Sequence, residues 1–424
     1  MLNKAIKTEE LENHKRVEKI IRKFGIISII DSRIYHFAMN KFLQIILVAQ
    51  FAILSCSSNE KVQPTADNTN LRIDQDRIFT PVIINAADTL EMLFDTGCMV
   101  GCLLPQSLAA NYADTSTVAQ SGTGVSKIKV KDISLGGQSL NSNTIYQVPG
   151  KIEAMIAPVY ATEKRIWCFD FDNRIFSIYE TDTLPENAIV YPLLFAKYRE
   201  RKLAPFVNIP MTLSYKDDTL STDYIYMLDT GTPYGFAITD PTPELEDFVL
   251  RIPHWKIEDC MCVKIPDRKL YDFEVNIEMP STTFTNIRSV FDTGLRSFSG
   301  EFKNYLTGID KPIVGTIGMR LLKHFNIILD LKNDRLILTP ARSTYPSKPM
   351  NRVGFWCNSK GVVTRIRTND TAYGQGLRLG DRIVSVDGIL WNDISEKRQN
   401  ELYSCTEHHV WKIAYKEGTK DIVI

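Results

Sequence analysis

Three copies of the tripeptide Asp-Thr-Gly occur in this chain, and they begin at Asp95, Asp229 and Asp292. Average residue usage gives roughly 0.1 copies for a chain of this length, so three are far more than chance predicts. Each copy follows two apolar residues, a pattern typical of a turn that leaves a buried strand. Two carboxylates about 3 Å apart share one proton, so one can take a proton from water while the other donates one. The pattern therefore predicts an acid–base site built from two aspartates.

The two residues that follow each aspartate suit such a site. Gly97 and Gly231 let the backbone approach where a side chain would clash, and a glycine N–H can donate to a carboxylate. The hydroxyl groups of Thr96 and Thr230 can bond across to the opposite turn and fix the two turns relative to each other. We therefore expect these four residues to support two turns that meet face to face.

The surrounding sequence predicts a mainly β fold, because short β-branched and aromatic runs alternate with turn residues. The chain also looks internally duplicated. In the first half, an apolar strand from Pro81 leads into the first motif, and the half ends with a polar hairpin around Asn173. The second half has the same order, from a strand at Pro205 to a hairpin around Asn333. Helical patterns are few and lie around 105–110, 318–324 and 395–401.

Shifts in composition divide the chain into domains and linkers. Pro185, Pro192 and the charge run 197–202 suit a connector between the duplicated halves, and the Pro/Ser-rich stretch 344–349 marks a further boundary. The predicted segments are an N-terminal extension (1–38), a signal and anchor (39–56), a flexible tether (57–76), a first lobe (77–182), a linker (183–204), a second lobe (205–342) and a C-terminal module (343–424).

The Asp-Thr-Gly motifs resemble those of the pepsin- and retropepsin-like aspartic peptidases. The segment Gly315–Leu322, followed by Ile327–Asp330, is similar to the hydrophobic-hydrophobic-Gly element of the bacterial retropepsin-like group. The resemblance covers about residues 81–340. It implies two β lobes that form a cleft, an endopeptidase with water as the nucleophile, and peptide or protein substrates. It implies neither a cofactor nor a metal.

Spacing decides which aspartates form the pair, because in this family a substrate-covering hairpin, the flap, lies between the catalytic turn and the Gly element. Asp229 lies 89 residues before Gly318, which leaves room for a flap, whereas Asp292 lies only 26 residues before it. We therefore assign Asp95 and Asp229 as the catalytic pair of a monomer, Gly318 as a supporting residue and Asp292 as a structural turn. A homodimer that pairs Asp229 with its own copy is the alternative.

Two departures from the family pattern leave room for a catalytically weak or inactive peptide-binding protein on the same scaffold. Ala157 stands where the first lobe should carry the glycine of the Gly element. Thr232 after the second motif can donate a hydroxyl bond to the carboxylate, but Cys98 in the matching position does this poorly. The candidate flaps are Gln120–Gly124 and Arg251–Lys264.

The C-terminal module contains a segment, Ala372–Gly388, that resembles the core of bacterial PDZ domains. Val353, Gly354 and Phe355 stand where that family has its carboxylate-binding loop. The resemblance implies that backbone amides there receive a peptide C-terminus and that an open sheet edge adds the peptide as a strand. A purely structural β module packed on the lobes is the alternative.

A membrane signal lies near the start of the chain. Phe42–Leu54 is a mostly apolar run that is too short to span a bilayer and reads as a signal segment. The four residues ending at Cys56 resemble the lipobox of bacterial lipoproteins, which implies acylation of Cys56 and anchoring on the periplasmic or cell-surface side. We expect translation to start at Met39; a cytoplasmic tail of residues 1–38 is the alternative.

Composition excludes other classes of protein. The 424 residues include 50 Lys+Arg and 50 Asp+Glu, so the formal net charge is +0, which argues against a non-specific nucleic-acid binder. Hydrophobic content of 44% and charged content of 24% are those of a globular protein rather than a disordered or polytopic membrane one. The eight cysteines form no CxxC pair, so no zinc site is expected.

Overall fold

The structure, a computed structural model, describes the following parts of the chain: residues 69–112, 119–120, 126–149, 152–179, 184–198, 201–260, 268–280, 282–295, 306, 309–347, 350–416 and 418–424. The predictions for the extension 1–38 and for the signal with Cys56 lie outside these residues. Anchoring and cellular location therefore stay predictions. The end of the expected tether, 69–76, lies inside the described residues and contains two short strands. Leu71 and Asp76 are buried there, so this part of the tether is folded.

Strands dominate the first part of the folded chain. In chain order they are β1 (Thr69–Asn70), β2 (Arg72–Asp74), β3 (Arg77–Ile84), β4 (Asp88–Phe94), β5 (Cys102–Pro105), β6 (Ala119–Gln120), β7 (Ser126–Lys129), β8 (Ile133–Leu135), β9 (Gln138–Ser139), β10 (Thr144–Val148), β11 (Met155–Ile156), β12 (Ile166–Asp170) and β13 (Ile175–Tyr179). Strands β2–β11 form one mixed sheet, which we call the first lobe.

The second part repeats this strand content. Its strands are β14 (Ile189–Tyr198), β15 (Arg201–Asn208), β16 (Met211–Tyr215), β17 (Asp218–Thr222), β18 (Ile225–Asp229), β19 (Phe236–Ile238), β20 (His254–Asp259), β21 (Leu270–Met279), β22 (Thr282–Asp292), β23 (Ile313–Gly318), β24 (Phe325–Asp330) and β25 (Arg335–Pro340). Strands β15–β23 form the second lobe. Much of the expected linker is therefore strand, since β14 pairs with both β15 and β25.

The two lobes repeat one pattern of strand pairing around their motifs. In the first lobe β4 is parallel to β11, which is antiparallel to β5, and β5 is parallel to β10. In the second lobe β18 is parallel to β23, which is antiparallel to β19, and β19 is parallel to β22. The prediction of a mainly β fold with two duplicated lobes is confirmed.

A central antiparallel sheet joins the two lobes. Its order is β1-β13-β12-β24-β25-β14, and the contact between the halves is the β12–β24 pair, where Phe169 lies opposite Ile327. Buried aromatic rings connect this sheet with the end of β4: the ring centroids of Phe94 lie 5.5 Å from Trp167 and 4.6 Å from Phe169. The floor under the first Asp-Thr-Gly turn is therefore a rigid apolar layer.

The C-terminal module has its own core, which includes Phe355, Ile366, Trp391 and Trp411. Its fold is α+β, and its identity as a PDZ domain stays a prediction. Its strands are β26 (Phe355–Cys357), β27 (Val363–Arg367), β28 (Arg382–Val386), β29 (Ile389–Leu390), β30 (Val410–Tyr415) and β31 (Gly418–Val423).

Helices are short throughout the part of the chain that the structure describes. Those near 105–110, 318–324 and 395–401 agree with the sequence patterns, whereas a helix capped by Thr242, with a proline in its first turn, was missed. Among the described residues no helix is long and apolar enough to cross a membrane. The helices are α1 (Gln106–Ala109), α2 (Pro243–Arg251), α3 (Met319–Leu322), α4 (Thr371–Gly374) and α5 (Glu396–Ser404), with 3₁₀ turns at Ala110–Tyr112, Thr293–Leu295 and Trp391–Asp393.

Candidate active site

Each of the two assigned aspartates stands at the end of a buried strand. Asp95 follows β4, and its N–H donates to the carbonyl oxygen of Ile156 in β11 at 3.0 Å. Asp229 is the last residue of β18 and lies opposite Gly318 in the parallel strand β23. The apolar residues before each motif are buried, so each strand is fixed by its core while the carboxyl group at its end stays partly accessible.

The structure brings these two aspartates together. A Cβ atom built on Gly231 would lie 2.5 Å from Cγ of Asp95, and one built on Gly97 would lie 3.0 Å from Cγ of Asp229. Each carboxyl group therefore lies against the glycine of the other motif. Any side chain at these glycines would push into the space that the carboxyl groups occupy, which explains glycine in both turns.

Two threonines lock the turns together by reciprocal hydrogen bonds. The N–H of Thr96 donates to Oγ1 of Thr230 at 3.0 Å, and the N–H of Thr230 donates to Oγ1 of Thr96 at 2.9 Å. Each hydroxyl also donates across to the strand of the other lobe, to the carbonyl oxygens of Leu228 and Phe94, at 2.8 Å in both cases. Both threonines are buried, so water does not compete for these bonds.

Backbone or side-chain donors contact both carboxyl groups. Oδ1 of Asp229 accepts from the N–H of Gly231 at 3.0 Å, and Oδ2 accepts from the hydroxyl of Thr232 at 2.7 Å. Oδ1 of Asp95 accepts from the backbone N–H of Cys98 at 3.1 Å. The Thr232 hydroxyl thus makes the contact expected from the sequence.

Gly318 packs tightly under the second turn. A Cβ atom there would lie 2.5 Å from the carbonyl oxygens of both Thr232 and Tyr234. Its N–H donates to the carbonyl oxygen of Gly235 at 2.9 Å, and Met319 donates to Thr232 at 2.9 Å. The supporting position expected for Gly318 is therefore one where only glycine fits.

In the first lobe, an alanine occupies the position that Gly318 has under the second turn. Ile156 lies opposite Phe94 in the parallel pair, so Ala157 is the counterpart of Gly318. The N–H of Ala157 donates to the carbonyl oxygen of Gly101 at 2.8 Å, and Gly101 adopts a φ of 82°, which favours glycine. An alanine is thus accommodated beside a turn that has its own glycine.

Tyr160 is a residue near the pair that the sequence did not indicate. Its hydroxyl donates to the carbonyl oxygen of Thr96 at 2.8 Å. Burial raises the pKa of this phenol well above its usual value, and the neighbouring carboxyl groups of Asp95 and Asp229 raise it further. Counted from the strand pairs, the matching residue of the second lobe is Leu321. A lone tyrosine in an apolar segment gives no sequence signal for this contact.

Asp292 is held in a separate contact at the end of β22. Nε of Arg268 donates to Oδ1 of Asp292 at 2.6 Å, and a second guanidinium nitrogen pairs with Oδ2. The N–H of Gly294 also donates to Oδ1, at 3.0 Å. The carboxyl group is buried in this ion pair. These contacts agree with the structural turn expected from its spacing.

The expected peptide-binding loop of the C-terminal module is internally bonded. Val353 and Phe355 are buried, and the N–H of Gly354 donates to Oδ1 of Asn351 at 2.9 Å. Its peptide-binding role stays a prediction. Of the candidate flaps, residues 121–124 and 261–264 lie outside the described part of the chain, while 251–260 forms the end of α2 and β20. Among the described residues, no group of three or more His, Cys, Asp or Glu is placed to hold a metal ion.

No protein-family model matches the chain, and no curated protein matches it in sequence. Among solved structures, the crystal structure of an aspartic proteinase from Irpex lacteus is similar, with a TM-score of 0.37 and 11% sequence identity. The alignment covers 65% of this chain and 97% of that chain.

Proposed function

We propose that this protein is a single-chain aspartic endopeptidase in which Asp95 and Asp229 act as a pair. The observation that carries the proposal is the close approach of each carboxyl group to the glycine of the other motif, at 2.5 Å and 3.0 Å from the Cβ positions of Gly231 and Gly97. Two carboxyl groups placed like this can share one proton and hold a water molecule between them.

In the proposed reaction the ionised member of the pair takes a proton from the bound water, whose oxygen attacks the carbonyl carbon of the scissile peptide bond. The protonated member donates its proton to the carbonyl oxygen. The tetrahedral intermediate then collapses: one of its hydroxyl groups returns its proton to the pair, the C–N bond breaks, and the leaving amine takes a proton from the pair. The products are a carboxylic acid and an amine, and the pair regains its single shared proton.

The contacts within one chain favour this pairing over a homodimer. The turn of Asp95 occupies the place opposite Asp229, and the reciprocal bonds of Thr96 and Thr230 bury both turns against each other. A second copy of Asp229 could reach this position only if the first lobe moved away. That movement would expose the aromatic layer beneath Phe94, which is costly.

The test is hydrolysis of unstructured peptides by the full-length chain in detergent, followed by mass spectrometry. Asp95→Asn and Asp229→Asn should each lower kcat by at least about 10³-fold, because an amide cannot exchange the proton. Asp292→Asn is the matched control: it changes the same residue type in the same motif and should leave kcat within about threefold, provided that circular dichroism shows it folded.

Activity that persists in both variants would remove Asp95 and Asp229 from the mechanism. A folded wild-type chain that binds peptides without cleaving them would instead favour the alternative, a peptide-binding protein on this scaffold. The observation behind that alternative is Cys98, whose thiol stands where the second turn has the Thr232 hydroxyl.

A further inference from the structure

Strand β20 of the second lobe is divided between two partners. Its first half pairs with β21, where His254 lies opposite Phe273. Its second half, Ile257–Asp259, pairs with β27 of the C-terminal module. Hydrogen bonds extend this second ladder at both ends: Thr368 N–H donates to Lys256 at 2.9 Å, and Cys260 N–H donates to Thr364 at 2.8 Å. The sheet of the second lobe therefore continues into the C-terminal module.

A buried ion cluster lies beside this junction. Asp272 of β21 has a side chain that is 1% exposed and pairs with both Arg288 of β22 and Arg367 of β27. Arg367 donates to Oδ2 of Asp272 at 3.1 Å and to the carbonyl oxygen of Asn351 at 2.7 Å. Burial is the largest single influence on the pKa of Arg288 and would lower it, but the charge and the hydrogen bond of Asp272, with smaller contributions from Tyr234 and Glu274, together raise it.

Aromatic rings cover Arg367 from both parts of the molecule. Its guanidinium lies 4.7 Å from the ring centroid of Trp255 in β20 and 5.6 Å from that of Trp356 in β26. A planar guanidinium can stack on rings while its fork holds a carboxylate, which a lysine cannot do. Separation of the module from the lobe would break the Asp272–Arg367 pair and remove the Trp255 ring from Arg367, so the contact favours docking over a loose tether.

The edge of β26 that faces away from β27 is closed by side chains of the module itself. Nδ2 of Asn351 donates to the carbonyl oxygen of Phe355 at 2.6 Å. The N–H of Cys357 donates to the hydroxyl of Tyr403 in α5 at 3.0 Å. A peptide that added to this edge as a strand would need these same backbone groups. With β20 on the other side of β27, both edges of the β26–β27 ribbon are occupied.

We infer that the C-terminal module is a fixed extension of the second lobe, in which Arg367 positions β20 through Asp272, and that the β26–β27 ribbon does not take up peptides by strand addition. Strand β20 lies in the described part, 251–260, of the segment 251–264 that the sequence predicts to cover the substrate. The expected effect on KM therefore rests on the proposed function, whereas the expected effect on amide exchange in β20 does not.

The experiment compares Arg367→Met with wild type, using the full chain. Methionine keeps the apolar stem but removes the fork. Exchange of the amide hydrogens of Ile257–Asp259 should accelerate by about tenfold, and KM for a cleaved peptide should rise by about tenfold because β20 is less well held. A smaller folded fraction would lower kcat but leave KM unchanged, so the rise in KM separates positioning from loss of folded protein.

Arg398→Met is the matched control, because Arg398 lies on α5 of the same module and makes an exposed pair with Glu401. It should change neither exchange in β20 nor KM. An Arg367→Met chain with wild-type exchange and wild-type KM would overturn the inference. If wild type cleaves no peptide, the proposed function fails, and exchange in β20 alone decides the docking.

The second readout is binding of eight-residue peptides with free C-terminal carboxylates, followed by tryptophan fluorescence. In the chain that carries both Asp95→Asn and Asp229→Asn, any saturable signal should come from the cleft alone and should be the same with and without the further change Gly354→Val. Saturable binding that disappears in the Gly354→Val variant, where a Cβ would meet Asp370 at 2.5–2.9 Å, would show an open groove and would also overturn the inference.

Discussion

The two lobes agree in how they bring the aspartates together and differ in what surrounds each one. The reciprocal threonine bonds and the facing glycines are matched almost atom for atom across the two turns. The residues around them are not matched. The equivalent positions in the first and second lobes are Cys98 and Thr232, Ala157 and Gly318, and Tyr160 and Leu321. The shared parts are those that a pair of carboxyl groups needs in order to meet.

The unmatched parts follow from what each lobe contacts. Among the described residues, the C-terminal module extends the sheet of the second lobe, at β20, and not that of the first lobe. The first lobe instead carries a tyrosine beneath its turn. A duplicated scaffold can thus keep the geometry of two turns while each half acquires a different support. Substitutions at matched positions can measure how unequal those supports are.

The largest expected difference is between the two glycines. Gly231→Ala should lower kcat/KM by about 100-fold, because the new Cβ would lie 2.5 Å from Cγ of Asp95 and displace that carboxyl group. Gly97→Ala should cost about tenfold or less, because its Cβ would lie 3.0 Å from Cγ of Asp229 and a shift of a few tenths of an ångström relieves the contact.

Steady-state kinetics of the two alanine variants, with thermal unfolding as the check on folding, measure this difference. Equal losses in the two variants would mean that the two turns tolerate displacement equally. A greater loss in Gly97→Ala would reverse the comparison and identify Asp229 as the more tightly placed carboxyl group.

Local patterns were enough to predict the mainly β fold and the duplication, because alternation and repeated motifs involve neighbouring residues. The pairing of Asp95 with Asp229 was instead predicted from the spacing that the family resemblance implies. Helix α2 could also have been found, since Thr242 followed by a proline and Glu244 is a capping signal. The folded strands at 69–76 were missed because a polar composition concealed short edge strands.

Contacts between distant residues could not be predicted in this way. The pairing of β20 with β27 joins residues more than 100 positions apart, and neither strand carries a pattern that names its partner. The same holds for the hydroxyl of Tyr160 and the carbonyl of Thr96, and for the ion pair of Arg367 with Asp272. These contacts depend on the packed fold rather than on a motif.

A smaller difference is expected between the matching hairpins of the central sheet. Asp330 accepts from the N–H and side chain of Asn333 at 3.0 Å and 2.8 Å, and Asp170 accepts from Asn173 in the same way at 3.0 Å and 2.7 Å. Asp330 additionally accepts from Nε of Arg335 at 3.0 Å. Asp330→Asn should lower the free energy of unfolding by about 2 kcal/mol and Asp170→Asn by about 1 kcal/mol at pH 7.

Acid should reduce the larger of these effects. Burial tends to raise the pKa of Asp330, but the hydrogen bonds from Asn333 and Arg335 outweigh it, so the pKa is lowered. A lowered pKa contributes stability above the unfolded-state value, and that contribution is lost as the pH falls through the folded-state value. Urea unfolding at pH 7 and pH 3 measures this. A gap between wild type and Asp330→Asn that widened in acid would contradict the assignment.

The smallest expected effect concerns Tyr160, whose counterpart in the second lobe is Leu321 and has no hydroxyl group. Tyr160→Phe removes the hydroxyl that donates to Thr96 and leaves the carbonyl oxygen of Thr96 without that donor. The free energy of unfolding should fall by about 1 kcal/mol. The turn of Asp95 should become slightly less well placed, so kcat should fall by about threefold.

Tyr191→Phe is the control, because the Tyr191 hydroxyl is buried and has no hydrogen-bond partner among the described residues. Removal of a hydroxyl without a partner should leave both stability and kcat unchanged or slightly raise stability. If both tyrosine variants behave alike, the hydroxyl of Tyr160 does not support the first turn. The first turn would then be held by the reciprocal threonine bonds, the N–H of Cys98 and strand pairing, without help from the Tyr160 hydroxyl.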